Sequence, residues 1–149
     1  MVGKDGFVTD RVVEWYRDVC AGGTGLVIVE ASAVAEDGKL RDNQLGIWDD
    51  KFIAGLKRIA DICHEYEVPV LIQLHHAGFK EKIKDVSEHI LDEILESFKR
   101  AFRRAREAGF DGIEIHGAHT YLISQLNSRL WNLRDDKYGG TFEKRMYFS

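Results

Sequence analysis

Residues 113–121 read Ile-Glu-Ile-His-Gly-Ala-His-Thr-Tyr, so a short apolar run is followed at once by the imidazoles of His116 and His119 and the phenol of Tyr121. Imidazole N–H groups can stabilise an oxyanion as it develops, and a phenol with an ordinary pKa of about 10 is protonated at neutral pH and can deliver a proton. A second cluster, Gln73-Leu-His-His-Ala-Gly78, also closes an apolar run. His75, His76, His116 and His119 invite a metal reading. Zinc needs three or four ligands, however, and these come from two segments with no clear thiolate or carboxylate partner, so no metal is expected. Gln73 has a blander reading as a buried amide bonded to backbone. A third polar stretch, residues 132–140, carries Arg134, Asp136 and Tyr138 and reads as a solvated turn with an ion pair worth at most ~1 kcal/mol.

These groups need elements to position them. The spacing of Val12, Val13, Tyr16, Val19 and Cys20 predicts a helix capped by Asp10 and running to about Ala21, after a loop at residues 1–9. Residues 26–31 are a continuous run bounded by glycine, the pattern of a strand covered on both faces. Asp49-Asp50 opens a helix with a stripe from Phe52 to Cys63, and residues 68–74 form the next strand, with Pro69 at its entrance where a missing amide does least harm. A short charged loop at 79–86 leads to Ser87, which caps the longest helix, with a stripe from Ile90 to Ala105. Lys99, Arg100, Arg103, Arg104 and Arg106 read as its solvated face, and His64 and His89 as surface residues. Gly109 ends that helix, and Gly112 opens a buried strand at 113–115. Residues 121–132 read as a short helix running into an extended loop. Strands alternating with helices predict an α/β fold with a parallel sheet. If that sheet belongs to an α/β barrel, the chemistry lies at the carboxyl ends of the strands, where His116, His119 and Tyr121 fall.

Composition narrows the function. With 149 residues and 44% apolar content the chain is one globular domain, and its net charge of -4 offers no footprint for nucleic acid or an anionic membrane, so neither partner is expected. Cys20 and Cys63 lack metal spacing and read as reduced, half-buried thiols. No leader, membrane span or lipidation motif is visible, so the expected location is cytoplasmic.

Taken together, the Gln73–Gly78 motif, residues 108–119 and residues 132–140 resemble the old yellow enzyme family of FMN-dependent NAD(P)H oxidoreductases. Gly22-Gly23 and Leu45-Gly-Ile-Trp-Asp49 are similar to family segments as well. The resemblance covers nearly the whole chain but only part of a family member, and it implies a partial TIM barrel made of the second to fourth βα units. It also implies roles. His116 and His119 would hydrogen-bond the carbonyl oxygen of an α,β-unsaturated carbonyl substrate, and Tyr121 would protonate the carbon beside that carbonyl. Gln73 would bond the polar edge of the flavin ring and Ala31 would lie against it. FMN, reduced by NADH or NADPH, would pass hydride to the far alkene carbon.

Departures from the family pattern accompany the resemblance. Thr120 stands where glycine is usual, Phe79 where arginine follows His-Ala-Gly, and Arg129 where proline is usual. The excursion after the second strand is cut to residues 79–86, and the family's first strand and later strands are absent. An alternative reading follows: a non-catalytic barrel fragment that cannot hold flavin alone and self-associates to cover its open sheet, so a homo-oligomer is expected.

Overall fold

The computed structural model describes residues 2, 3, 5–80 and 82–149; Met1 and Lys4 of the predicted loop at 1–9, and Glu81 of that at 79–86, lie outside the described residues. Helix α1 (Asp10–Ala21) buries Val12, Val13, Tyr16 and Cys20. Asp10 is its first residue rather than its cap; Thr9 holds the cap position in an extended conformation, and Asp10 pairs with Arg58 at 2.5 Å. Strand β1 (Val27–Ala33) leads through a 3-10 turn at Asp50–Phe52 into α2 (Ile53–Glu65), and β2 is Val70–His75. Pro69 sits just outside β2, where its carbonyl accepts from Val27 N–H at 3.0 Å. Ser87 caps α3 (Glu88–Glu107) by accepting from Ile90 N–H, and β3 (Gly112–Ile115), α4 (Leu122–Asn127) and α5 (Phe142–Arg145) complete the order.

The three strands form one parallel sheet in the order β1-β2-β3. Val29 pairs with Ile72 and Ser32 with Leu74, so β1 carries one extra residue, and Glu30 and Ala31 form a bulge opposite Gln73. Only one face is covered. Val27, Val29, Val70, Ile72 and Leu74 are buried in a single apolar cluster, whereas Ile28 is 43% exposed and Leu71, Gln73, Gly112 and Glu114 are half-buried. The expectation of strands covered on both faces is corrected: the opposite face is the interior side of an unfinished barrel, and three strands bring nothing across to fill it.

Two further readings change. Arg104 leaves the solvated basic stripe: its side chain is 8% exposed, and it bonds Asp50 at 2.6 Å and the Ile47 carbonyl at 3.2 Å, tying α3 to the turn before α2. Arg103, Lys99 and their acidic neighbours do form exposed pairs. Cys20 and Cys63 are free but fully buried, and burial followed by contact with Cys20 pushes the Cys63 thiol up to about 12. His64 and His89 are both exposed, as read from the sequence, His89 beside Glu93 and His64 bonded to Asp111, whose carboxylate also accepts from Val70 N–H at the start of β2.

Candidate functional site

The parallel ladder continues one residue beyond β3, with His116 N–H donating to the Leu74 carbonyl at 3.0 Å. The chain then turns sharply. His119 and Thr120 both hold positive φ, 57° and 60°, a region that costs an L-residue about 1–3 kcal/mol. Glycine would meet no such cost, which gives physical content to the threonine at position 120. Tyr121 N–H closes the turn on the Ala118 carbonyl, and Leu122 N–H at the start of α4 donates to the His76 carbonyl at 3.2 Å. The turn is therefore pinned to the exit of β2.

That exit has its own support. Gly78 has φ 81°, and a Cβ there would meet Gln125 Oε1 at 2.5 Å, so α4 approaches the loop as closely as backbone allows. Gln125 bonds both the N–H and the carbonyl of Phe79. The residue standing in place of arginine thus contributes mainly backbone, with its ring 6.0 Å from His76.

Four rings converge. Tyr121 lies 4.9 Å from His116, 6.1 Å from His119 and 4.6 Å from His75, between ring centroids, and His116 lies 5.1 Å from His119. Their hydrogen-bond partners assign the tautomers. Ala118 N–H donates to His116 Nδ1, so the neutral ring carries its hydrogen on Nε2, which faces His119 Nδ1 at 3.3 Å. His119 then carries its own hydrogen on Nε2. The two rings are coupled through this bond, and each carries its hydrogen on Nε2.

His75 and His76, considered from sequence only as metal ligands, are buried at 1% and 4% exposure. Gly78 N–H donates to His76 Nδ1 and the Gln44 side-chain amide donates to His75 Nδ1, while Nε2 of each ring is buried without a hydrogen-bond partner. Among the described residues no group of three or more His, Cys, Asp or Glu could hold a metal ion.

Gln73 pairs in register with Glu114 on β3 and donates its amide N–H to that carboxylate at 2.5 Å. The reading of Gln73 as a backbone-bonded buried amide is corrected: it is half-buried and bonded to a side chain. Ala31, in the β1 bulge, offers its carbonyl to Gln44, whose amide also reaches His75. Gln44 and Glu114 were not singled out in the sequence. Glu114 had a signal, a carboxylate interrupting an apolar strand; Gln44 had none beyond being polar next to Leu45-Gly-Ile-Trp48.

Burial, followed by the charges His116 and His76 would carry, lowers His75 to about 4. Burial also lowers His76 and, with His119 as the next cause, His116. The unfolded chain takes up a proton on each near 6.5 whereas the folded chain resists it, so stability is complete above that value and falls as pH drops toward 4. At about 1.4 kcal/mol per tenfold change in proton affinity, the part carried by His75 is about 3 kcal/mol. Thermal unfolding followed by circular dichroism is expected to show a midpoint falling steadily from pH 6.5 to pH 4, with a flatter profile for His75→Phe. A wild-type midpoint constant down to pH 5 would contradict this.

Known proteins share both the sequence and the fold of this chain. The model of the NADH:flavin oxidoreductase / NADH oxidase family matches residues 2–90 and 80–149. The chain is 43% identical to the NADPH dehydrogenase of Listeria monocytogenes serotype 4a (strain HCC23), over 92% of this chain and 46% of the relative. It is 38% identical to the NADPH dehydrogenase of Geobacillus sp. (strain WCH70), over 97% of this chain and 48% of that protein. Among solved structures, the old yellow enzyme homologue from Zymomonas mobilis superposes with a TM-score of 0.88 at 25% identity, covering 99% of this chain and 50% of that one. Old yellow enzyme from Pichia sp. AKU4542 shares the fold, with a TM-score of 0.90 at 23% identity over 99% of this chain and 47% of its own. The chain spans about half the length of the relatives it matches, and its three-stranded sheet is a partial α/β barrel. With the family model matched along its length, the chain belongs to the NADH:flavin oxidoreductase / NADH oxidase family.

Proposed function

We propose that this chain carries the substrate-facing part of an FMN-dependent NAD(P)H oxidoreductase, working in the cytoplasm, that reduces the carbon–carbon double bond of α,β-unsaturated carbonyl compounds. The observation behind this reading is the convergence of His116, His119 and Tyr121 at the exit of β3, beside an open sheet face bearing Gln73. The residues fit the ring end of a flavin. Ala31 is small and half-buried, and Gln73, after giving one N–H to Glu114, keeps its second N–H and its oxygen for a ligand. When bound, FMN supplies the hydride. As negative charge builds on the substrate carbonyl, His119 Nε2–H takes the oxygen directly, and His116 gives up its weak 3.3 Å link to His119 to donate as well. His116 has no proton to lose on Nδ1, so it acts as a neutral donor. Tyr121 hands its phenolic proton to the carbon beside the carbonyl. In barrels of this kind the phosphate is usually cradled by loops after strands 7 and 8, and three strands are present in this sheet.

A second reading, a non-catalytic fragment that self-associates, is favoured by exposed apolar surface. Leu130, Trp131 and Leu133 are 87%, 50% and 64% exposed, and an apolar groove lined by Phe98, Phe102, Ile113, Ile115 and Phe148 runs beside the free edge of β3. None of the described helices is long and apolar enough to cross a membrane. Titration of the purified chain with FMN, followed by flavin fluorescence on material sized by gel filtration, separates the two readings. Saturable binding near one flavin per chain, with bleaching by NADPH, is the expected result for the oxidoreductase. A colourless oligomer at high FMN would sink that reading for this chain and support the fragment.

A further inference from the structure

The geometry points to His75 as a positioning residue for Tyr121: fixed by Gln44 as an uncharged ring, it holds the phenol edge-on in a loop whose backbone does not favour that placement. The inference rests on the proposed role of Tyr121 as proton donor.

The loop from His116 to Tyr121 contains two consecutive non-glycine residues at positive φ, His119 and Thr120. Such a conformation persists where the surroundings over-determine it. Besides the local bond from Tyr121 N–H to Ala118, the outside support comes from His75, the last residue of β2, and from His76 just beyond it. The His76 carbonyl accepts Leu122 N–H, and the His75 ring meets the Tyr121 ring at 4.6 Å and 88°. Next to His75, whose ring lies 5.3 Å from that of His116, Tyr121 also meets His116 at 4.9 Å and 78°. The phenol therefore stands in a corner made by two imidazoles from neighbouring strands, an arrangement in which edge-to-face aromatic contacts are favourable.

A support must itself be fixed, and His75 is. Leu40 N–H takes Gln44 Oε1 at 2.6 Å, which turns the amide nitrogen toward the Ala31 carbonyl and His75 Nδ1, each at 2.9 Å. His75 Nδ1 is thus an acceptor and its hydrogen sits on Nε2. Protonating the ring would set an N–H against the Gln44 N–H, so the clamp keeps His75 neutral. Nε2 of a ring 1% exposed has no hydrogen-bond partner, and Tyr121 and His116 are the aromatic neighbours that the ring faces. The connection Ala31–Gln44–His75–Tyr121 then ties the proton donor to the β1 bulge. Neither Gln44 nor His75 needs to touch substrate for this.

The test uses the chain labelled with carbon-13 tyrosine, without flavin, with Tyr121 assigned through Tyr121→Phe. In the wild type the Tyr121 ring resonances are expected to be displaced by ring currents from their free-tyrosine positions. His75→Ala is expected to return them toward those positions and to speed hydrogen exchange at the Leu122 amide about tenfold, with amide dispersion in the three strands retained. His75→Phe, which keeps a flat ring but loses the Gln44 bond, restores most of both readouts. Gln44→Leu leaves the ring unclamped and moves Tyr121 part of the way. If His75→Ala fails to fold, His75→Leu, which keeps volume without a flat edge, is read in its place with the same expectation. Unchanged Tyr121 resonances in a folded His75→Ala or His75→Leu would overturn the proposal, as would a His75→Phe variant that behaves like the alanine. Because no flavin is present, a chain that binds no FMN still reports on His75, and the two failures are distinguishable.

Discussion

Arg134→Met is expected to lower stability by about 3 kcal/mol, the range found when one partner of a buried ion pair is removed. Arg134, whose side chain is 4% exposed, does three jobs at once, two of them through its guanidinium. Its Nη1 donates to the carbonyls of Ile83 at 2.6 Å and Val86 at 2.5 Å, satisfying the 3-10 turn that precedes α3. Its Nε and Nη2 grip the Asp136 carboxylate, which is 18% exposed. Its backbone N–H donates to Asn132, whose amide in turn bonds the Leu126 and Tyr138 carbonyls. Burial would raise the Asp136 carboxyl, but Arg134 and the Tyr138 N–H hold it below the usual carboxylate value. Methionine fills the volume yet leaves two carbonyls and a carboxylate without their donor. Arg134→Lys keeps the charge and loses the fork, so it should fall between the two. Urea unfolding measures this; a shift below about 1 kcal/mol for Arg134→Met would restore the view of the segment as a solvated turn.

That segment also marks where the sequence stopped being legible. Strand and helix positions follow from local pattern: β-branched runs end in glycine, Ser87 caps α3, and Pro69 stops just short of β2. His116, His119 and Tyr121 come together because a strand exit and a short turn are local too. What escapes is anything decided across long separations. Arg104 and Arg134 look like ordinary surface charges until α3 lies over Ile47, or the 132–140 segment lies under Ile83 and Val86, and presents carbonyls to them. Gln44 gains its meaning from a residue 31 positions away. The one-sided cover of the sheet was hidden for a different reason. A strand written for a closed barrel has the same apolar run whether or not the other strands are beside it.

In FMN-loaded protein, His116→Ala is expected to slow reduction of a simple cyclic enone such as 2-cyclohexenone by about 10²–10³-fold, the usual effect of removing an oxyanion donor. The loss should exceed that of an isolated donor's deletion at the low end, because His116 also holds His119: without Nε2 of His116 at 3.3 Å, the second ring loses its partner as well. The double variant with His119→Ala should cost less than the product of the two single losses, since the two rings are coupled. Tyr121→Phe removes the proton and leaves the ring that packs on His75 and His116, so the fold is expected to hold while enone turnover falls by about 10²-fold or more. Both changes are expected to slow the enone step more than the step in which NADPH bleaches the flavin, and stopped-flow measurement of the two half-reactions separates them. Equal slowing of both half-reactions would mean that these residues only maintain structure. An enone rate within about threefold of wild type for His116→Ala, against the 10²-fold or more expected of an oxyanion donor, would remove the imidazole pair from the chemistry altogether.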